Sequence, residues 1–370
     1  MKIAMIGHKR IPSREGGVEM VVEALASRMT ELGHTVDVYN RRGHHVAGVE
    51  NDVRRQKEYK GIRIITIPTF DNKKLNAVVY SFLATIRALF GRYDVIHYHA
   101  EGPCSMLWLP HMFGIKTVAT IHGLDWKRSK WGGFATKFLI FGEKTAAKYA
   151  DEIIVLSKSV EEYFKNTYNR KTNYIPNGIE LPEIKEADII KKKYQLEKDG
   201  YILFLARLVP EKGLHYLLNA FAETETDKKL VIAGGTSHSD EYVDEIKCLA
   251  ALDERVIMTG FVQGAELEEL FSNCYLYVLP SDIEGMPISL LEAMSYGCVC
   301  LTSDIDENVQ LTGDYGYSFK RGNTDDLKKM LEKLIKKRNS ADKGAMRNYL
   351  QKNYDWSVIT DRTLELYKNG

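Results

Sequence analysis

The sequence predicts an α/β protein built from two doubly wound, Rossmann-like domains that face each other across a cleft. Three observations carry this. A chain of 370 residues is too long for one ordinary core and sets a prior of two domains. Short, unbroken apolar strands alternate with helix-length stretches, and crossovers of that length mean parallel strands covered on both faces. The alternation stops once, at Ile175-Pro176-Asn177-Gly178, and a second series starts at Tyr201.

In chain order, residues 3–6 form the first strand and a helix over 17–32 follows; Gly33 stands where a helix-terminating glycine belongs. Strands over 35–39 and 62–67, a helix over 75–90, and strands over 95–97, 117–121 and 153–156 complete an N-terminal domain of residues 1–178. Residues 179–199 are charged, contain Lys191-Lys192-Lys193, and read as a linker. Strands over 201–206, 229–233, 256–259, 276–279 and 299–302 build a C-terminal domain of residues 200–350. Helical stretches over 325–338 and 356–367 form the tail, and a C-terminal helix within 351–370 is expected to pack back toward the N-terminal domain.

Composition excludes several classes. Apolar residues make up 44% and charged residues 27%, which are globular values. The net charge of +1 argues against a nucleic-acid partner. The longest apolar stretch, 77–90, is interrupted by Arg87 and is shorter than the ~20 residues of a membrane span. The N-terminus reads as a buried strand, not a signal peptide. The cysteines are Cys104, Cys248, Cys274, Cys298 and Cys300. An odd number without a C-x-x-C pair argues against a disulfide scaffold or a zinc site, so they read as reduced core residues of a cytoplasmic protein. Charge is unevenly spread. Residues 1–180 hold 27 basic against 18 acidic side chains, and residues 181–370 hold 24 against 32. Either each half meets a different partner, or surface charge has sorted by chance.

Four segments combine residue types that suit chemistry. His8-Lys9-Arg10-Ile11-Pro12-Ser13-Arg14-Glu15-Gly16-Gly17 links the first strand to the first helix. Gly16 and Gly17 let backbone approach a ligand, the helix start favours an anion, and Arg10 and Arg14 add positive charge. A plain turn with solvated basic residues is the bland alternative; loops at the carboxyl ends of parallel strands are the usual ligand crevice, which favours the first reading. No G-x-G-x-x-G follows the strand, against a dinucleotide-dependent oxidoreductase. In Ile121-His122-Gly123-Leu124-Asp125-Trp126-Lys127-Arg128, His122 ends a buried strand where it can point into the cleft, or it is structural. His97, His99 and His122 have no metal-site spacing, and no metal is expected.

Arg207-Leu208-Val209-Pro210-Glu211-Lys212-Gly213 opens the second domain. A guanidinium fork and a mobile ammonium suit a diphosphate; the alternative is a salt-bridged helix start. In Glu284-Gly285-Met286-Pro287-Ile288-Ser289-Leu290-Leu291-Glu292, Pro287 suits the first turn of a helix whose free amides at 285–288 would face a phosphate. Glu284 and Glu292 on an otherwise apolar helix are costly to bury unless ligand hydroxyls donate to them; a capping glutamate with a chance second one is the alternative. Asp304-x-Asp306 follows a late strand and reads as a loop feature.

Together these segments resemble the GT-B fold glycosyltransferases, family 4 of the retaining nucleotide-sugar enzymes. The signature Glu284-x7-Glu292, joined to Arg207…Lys212-Gly213 and His122-Gly123, carries the resemblance, strongest over residues 200–300. It implies that Arg207 and Lys212 bind the donor diphosphate. Glu284 would contact the sugar hydroxyls and Glu292 the ribose. Gly285, Met286, Pro287 and Ile288 would offer backbone to phosphate or sugar. Phe261 and Val262, after Gly260, would cradle the base, Gly16 and Gly17 would line the diphosphate, and His122 would sit at the reaction centre. The implied catalytic set is His122, Glu284, Arg207 and Lys212, with no cofactor: the nucleotide sugar is a substrate.

The openings over 6–19 and 122–128 further resemble bacterial rhamnosyltransferases of capsule and cell-wall polysaccharide synthesis. That resemblance implies dTDP-L-rhamnose as donor and a lipid-diphosphate-linked saccharide as acceptor. UDP- or GDP-sugar donors are the alternative within the family. A non-catalytic nucleotide-sugar sensor and an epimerase are the alternatives from other classes. The basic first half suits an anionic membrane surface, so the protein is expected in the cytoplasm, peripheral on the inner face of the cell membrane. Arg10, Arg14, Asp125, Trp126, Lys127 and Arg128 are the acceptor or membrane candidates, with Lys130 and Trp131 beside them. The apolar stripe of the 73–92 segment (Leu75, Val78, Val79, Phe82, Leu83, Ile86, Leu89) is expected to pack into the core.

Overall fold

A computed structural model describes residues 1–14, 16–42, 56–69, 73–127, 133–235, 240–337 and 342–368. Arg128, Lys130 and Trp131 lie outside them. The chain forms two compact units, Met1–Gly178 with Trp356–Gly370, and Ile179–Asp355.

The first unit contains strands β1 (Lys2–Ile6), β2 (Thr35–Arg41), β3 (Glu58–Tyr59), β4 (Ile62–Ile67), β5 (Val95–His99), β6 (Lys116–Ile121), β7 (Glu152–Val155) and β8 (Asn173–Tyr174). They pair in the order β3-β4-β2-β1-β5-β6-β7-β8, parallel except for β3 against β4. The direction of winding reverses between β1 and β5, which register Ile3 with Val95 and Ile6 with Tyr98. Helices α1 (Gly17–Glu31), α2 (Lys73–Leu89), α3 (Glu101–Cys104), α4 (Trp108–Met112), α5 (Gly133–Tyr149) and α6 (Lys158–Tyr168) make the crossovers. Ile6, Tyr39, Ile96, Tyr98, Ala119 and Ile121 form one buried sheet face, packed against α2, α5 and α6.

The apolar stripe of α2 does not fill that core. The buried face of α2 is Asn76, Tyr80, Ser81, Ala84, Thr85 and Ala88, while Val78, Val79, Leu83, Ile86 and Leu89 are half-buried and Phe82 is exposed. Small residues let the helix lie close to the sheet, and Tyr80 and Thr85 bury their hydroxyls because partners are available. Tyr80 donates to the Tyr39 carbonyl at 2.5 Å, and Thr85 Oγ1 pairs with the Tyr98 hydroxyl at 3.0 Å.

The second unit contains β9 (Tyr201–Leu205), β10 (Lys229–Ala233), β11 (Val256–Gly260), β12 (Leu276–Leu279), β13 (Cys300–Ser303) and β14 (Tyr317–Phe319), all parallel in the order β11-β10-β9-β12-β13-β14. Its helices are α7 (Ile189–Tyr194), α8 (Leu214–Ala222), α9 (Asp240–Ala250), α10 (Ala265–Asn273), α11 (Ile288–Ser295), α12 (Asp306–Thr312), α13 (Thr324–Lys337) and α14 (Lys343–Tyr354).

Residues 179–199 are not a linker. Ile190 of α7 and Leu196 are fully buried against Leu270 and Phe271, worth roughly 1.5–3 kcal/mol each, and the Glu269 carboxylate accepts the Asp188 and Ile190 amides. Lys191, Lys192 and Lys193 are the solvated face of that short helix, and two apolar anchors outweigh the charge run. The unit also runs past 350, because Met346, Leu350 and Tyr354 of α14 complete its core. The last helix, α15, is therefore Trp356–Lys368, in the first unit. Arg28 of α1 lies over the Trp356 ring at 5.5 Å, and the buried Tyr367 hydroxyl meets His97 Nδ1 at 2.5 Å. Cys104, Cys274, Cys298 and Cys300 are buried, but Cys248 is exposed on α9 and is no core residue.

Candidate active site

In an open parallel sheet, loops at the strand carboxyl ends part where the winding reverses, and a crevice opens there. In the second unit that point lies between β9 and β12. Arg207 follows β9, and a 3₁₀ turn, Pro210–Lys212, carries Lys212. Gly213 follows with φ +67°, and a Cβ there would collide with the Pro280 carbonyl, so only glycine brings this loop against the one after β12. The result is a charge pair: Lys212 Nζ donates to Glu284 Oε1 at 2.5 Å, and Ser281 Oγ donates to the same oxygen at 2.7 Å. The two side chains keep 16% and 6% of their surface exposed. Poor solvation strengthens the attraction, and the serine supplies a further partner for the carboxylate.

Helix α11 starts beside this pair. Pro287 is its N-cap rather than a residue of its first turn, with φ −76° and ψ 100°, and no side chain caps the helix. Proline at that position leaves the amides after it directed outward, toward an anion if one binds. Gly285 and Pro287 are buried, and Met286, Ile288 and Glu292 half-buried. The Tyr277 hydroxyl holds this corner together, donating to the Leu205 carbonyl at 3.2 Å and pairing with Ser289 Oγ at 2.8 Å. Phe261, exposed, and Val262, buried, follow the edge strand β11 at Gly260, whose carbonyl accepts the Gly234 amide at 2.9 Å. Asp304 accepts the Arg321 amide at 2.8 Å and Asp306 begins α12.

In the first unit the reversal falls between β1 and β5. Asn40 Oδ1 meets buried His8 Nε2 at 2.9 Å and accepts the Ile11 amide at 3.0 Å, which pins the loop after β1 to β2. Burial lowers the His8 pKa to about 4. Arg10 is buried, so it is not the solvent-facing cation expected for an acceptor or membrane contact; Arg14 is exposed. Gly16 is the extended N-cap of α1, and a Cβ on it would collide with the Glu19 carboxylate, whose other oxygen accepts the Lys9 amide at 2.7 Å. Gly16 thus makes room for the protein's own carboxylate at the helix start.

His122 follows β6, half-buried, and its Nε2 lies 3.1 Å from Nδ1 of fully buried His99. Gly123 then turns at φ +142° into the 3₁₀ turn Asp125–Lys127. Trp126 is not a projecting aromatic: its indole N–H donates to Glu143 Oε2 at 2.9 Å, and Lys127 caps its ring at 5.6 Å. Glu143 is fully buried and also accepts from Tyr163 at 2.8 Å and from Tyr168. Glu101, buried nearby, is pushed up to about 10 by burial, then by Asp125 and Glu143. Among the described residues, no group of three or more His, Cys, Asp or Glu side chains is arranged to hold a metal ion.

Two family profiles match consecutive stretches of the chain that together run from residue 15 to residue 353. One, described as Glycosyltransferase Family 4, covers residues 15–183, and the other, Glycosyl transferases group 1, covers 186–353. The chain belongs to the GT-B glycosyltransferases of family 4.

Its relatives agree. An uncharacterized glycosyltransferase of Methanocaldococcus jannaschii is 25% identical over all of this chain and 98% of its own length. The N,N'-diacetylbacillosaminyl-diphospho-undecaprenol alpha-1,3-N-acetylgalactosaminyltransferase of Campylobacter jejuni is 29% identical over 60% of this chain and 62% of its own. Among solved structures, HepE of Anabaena in complex with UDP and glucose superposes with a TM-score of 0.81 over all of both chains at 16% identity, which speaks to the fold.

Within this glycosyltransferase, the predicted Lys212 and Glu284 meet directly and Arg207, Gly285, Met286, Pro287 and Ile288 belong to the same corner. Sequence reasoning missed Ser281, Tyr277, Glu19, His99 and Arg41. Arg41 donates to the Gly7 carbonyl at 3.2 Å and lies over the Tyr80 ring at 4.6 Å, beneath the first unit's crevice. Arg41 ends a strand of alternating character, and only strand order reveals that this end adjoins β1. For Glu19, the signal was available: an acidic residue in the first turn of a helix.

Proposed function

We propose that this glycosyltransferase moves a sugar, with retention, from a nucleotide diphosphate to a lipid-diphosphate-linked saccharide in cell-surface polysaccharide synthesis, with dTDP-L-rhamnose as donor. The observation that carries the donor half is the Lys212–Glu284 pair beside the uncapped start of α11. Breaking an anomeric carbon–diphosphate bond puts growing negative charge on the leaving phosphate. Arg207, Lys212 and the α11 amides supply fixed positive charge where it develops. Once Lys212 turns to the diphosphate, Glu284 is free to accept sugar hydroxyls, and Glu292 takes the ribose. Phe261 and Val262 bound the base. The family resemblance assigns His122 to the donor sugar. With no dedicated nucleophile, the acceptor attacks from the leaving-group side and the departing phosphate takes its proton.

The acceptor half rests on charge and exposed apolar surface. The undecaprenol-linked acceptor in the name of the Campylobacter relative is consistent with a lipid-linked acceptor. No described helix is long and apolar enough to cross a membrane. The outer side of the α2–α4–α5 layer instead exposes Phe82, Phe90, Phe113, Phe134 and Phe141, each 48–83% accessible. On α5 the outward stripe reads Phe134, Lys137, Phe141, Lys144, Lys148, and residues 73–92 hold four basic and no acidic side chains. Phenylalanines entering the headgroup layer and lysines reaching phosphates fit an anionic bilayer on the cytoplasmic side.

A thermal-shift panel of nucleotide sugars tests the donor. A ligand at 100 times its dissociation constant adds about 2.7 kcal/mol of stability. The largest shift is expected with dTDP-rhamnose; a clear UDP-sugar shift with none for dTDP-rhamnose overturns that donor and favours a UDP-sugar.

A further inference from the structure

Glu143 of α5 is fully buried, yet three donors from two other elements converge on it. The Trp126 indole N–H reaches Oε2 at 2.9 Å from the 3₁₀ turn, and the hydroxyls of Tyr163, at 2.8 Å, and Tyr168 reach Oε1 from α6. Both oxygens accept, so the side chain serves as a carboxylate. Gly142 lets α5 sit this deep: a Cβ on it would meet the Glu101 carbonyl of α3 at 1.9 Å.

A buried carboxylate is a costly way to hold two helices and a turn together; apolar side chains of similar volume would do it as well or better. What the carboxylate adds is direction. It fixes the Trp126 and Tyr163 rings by their polar edges, with centroids 6.3 Å apart. The Lys127 ammonium lies over both rings, 5.6 Å from the Trp126 centroid and 5.7 Å from that of Tyr163. Lys127 is exposed, and it has no carboxylate partner among the described residues. Aromatic faces hold an ammonium without neutralising it. Lys127 therefore stands in a set place, at the turn after His122-Gly123, with its positive charge available to an anion.

We propose that Lys127 binds the diphosphate of the lipid-linked acceptor, and that Glu143 is the positioning residue that presents it, through the Trp126 and Tyr163 rings. The proposal rests on the acceptor chemistry inferred above. Glu143 itself touches no substrate. Its hydrogen bonds fix the two rings before the acceptor arrives, so less side-chain freedom is lost when the diphosphate binds.

The test follows the indole N–H signals of the full chain labelled with ¹⁵N-tryptophan. The four tryptophans give four such signals, and a Trp126→Phe variant assigns the one from Trp126. Loss of the carboxylate partner in Glu143→Gln should move that signal upfield. Farnesyl diphosphate, added with no nucleotide sugar present, should shift the Trp126 signal of the wild type; farnesol, which lacks the diphosphate, should not. Lys127→Met and Glu143→Gln should each raise the dissociation constant read from that shift about tenfold, the worth of a hydrogen bond between charged groups. Combined, they should cost little more than either alone, because both act through one ammonium. Vesicles of phosphatidylglycerol supply the other source of phosphate: a Trp126 shift with vesicles and none with farnesyl diphosphate assigns Lys127 to the membrane surface and overturns the proposal. Equal affinity of Lys127→Met and wild type also overturns it, and a Trp126 signal unmoved in Glu143→Gln removes the positioning role. Should Glu143→Gln fail to fold, Tyr163→Phe keeps the ring, loses its hydrogen bond and should weaken binding in the same direction; unchanged affinity there removes the positioning role instead. No donor takes part, so failure of the dTDP-rhamnose reading leaves this result readable.

Discussion

Lys212 and Glu284, 72 residues apart, form a 2.5 Å ion pair because β9 and β12 are sheet neighbours and their loops leave on the same edge. If the pair exists to be exchanged for a donor, the carboxylate is needed chemically more than structurally. Glu284→Gln should lower kcat/KM by about 10²–10³-fold with little change in thermal midpoint. Lys212→Met should cost stability as well, up to about 3 kcal/mol, since it leaves Glu284 poorly solvated and without its cation. Steady-state transfer assays and urea unfolding separate the two; equal activity in Glu284→Gln and wild type would remove Glu284 from the site.

Gly213 is needed for both its φ of +67° and the nearby Pro280 carbonyl. Gly213→Ala should destabilise the second unit by about 2 kcal/mol or more and weaken nucleotide-sugar binding in the same measurement. An unchanged midpoint would show that the loop has another stable conformation.

The Glu101 carboxyl, raised to about 10 by burial and by Asp125 and Glu143, keeps its proton in the folded state while the unfolded chain loses it near 4.5. Its contribution is whole below the unfolded value and is lost as pH rises toward the folded one. Glu101→Gln keeps the shape without the titration. The variant should therefore be more stable than wild type by a margin that widens from about pH 5 to about pH 9 in denaturant titrations. A constant margin would mean that Glu101 is ionised in the native protein.

Acid should act in the opposite sense through buried histidines. Burial lowers His8 to about 4 and His97 to about 3, from 6.5. Below 6.5 the unfolded chain takes up protons that the folded one refuses, so stability falls as pH drops, by roughly 1.4 kcal/mol per pH unit for each. His97→Gln should remove one histidine's share of that slope.

Vesicle flotation tests the Phe/Lys stripe of α5. Replacing Lys137, Lys144 and Lys148 by glutamine should weaken binding to anionic vesicles about 100-fold, at roughly 1 kcal/mol for each basic residue near the surface. Phe134→Ser with Phe141→Ser should weaken it at high salt too, because that part is not electrostatic. Turnover of a water-soluble acceptor analogue should persist in both. Equal flotation of wild type and variants would dismiss this face.

Local patterning made much of the fold legible. Residues 62–67, 229–233 and 276–279 are strands with the bounds their apolar runs indicate; 276–279 is buried at every position, and in 62–67 only Arg63 and Thr66 are exposed. The segments around Arg207 and Glu284 stood out for a related reason: charge beside glycine or proline at the end of such a run has few purely structural explanations. Reading failed where two anchors decide against many charges, as in residues 179–199, where Ile190 and Leu196 bind a lysine-rich stretch to the second core. It failed again on α2, where the apolar stripe is only half-buried and Tyr80, Ser81 and Thr85 are fully buried. Periodicity locates a helix face but cannot tell which one the sheet will take once side-chain hydroxyls find partners.

The linear chain by itself determined the alternation of elements, the break near Gly178 and the residue types at the strand ends, since these follow from nearest-neighbour preferences and apolar spacing. Only the tertiary structure decided that Lys212 meets Glu284, that His99 lies against His122 and that Arg10 is buried. Those relations depend on strand order, and strand order is set by the free energy of the whole packed sheet, which no local window contains.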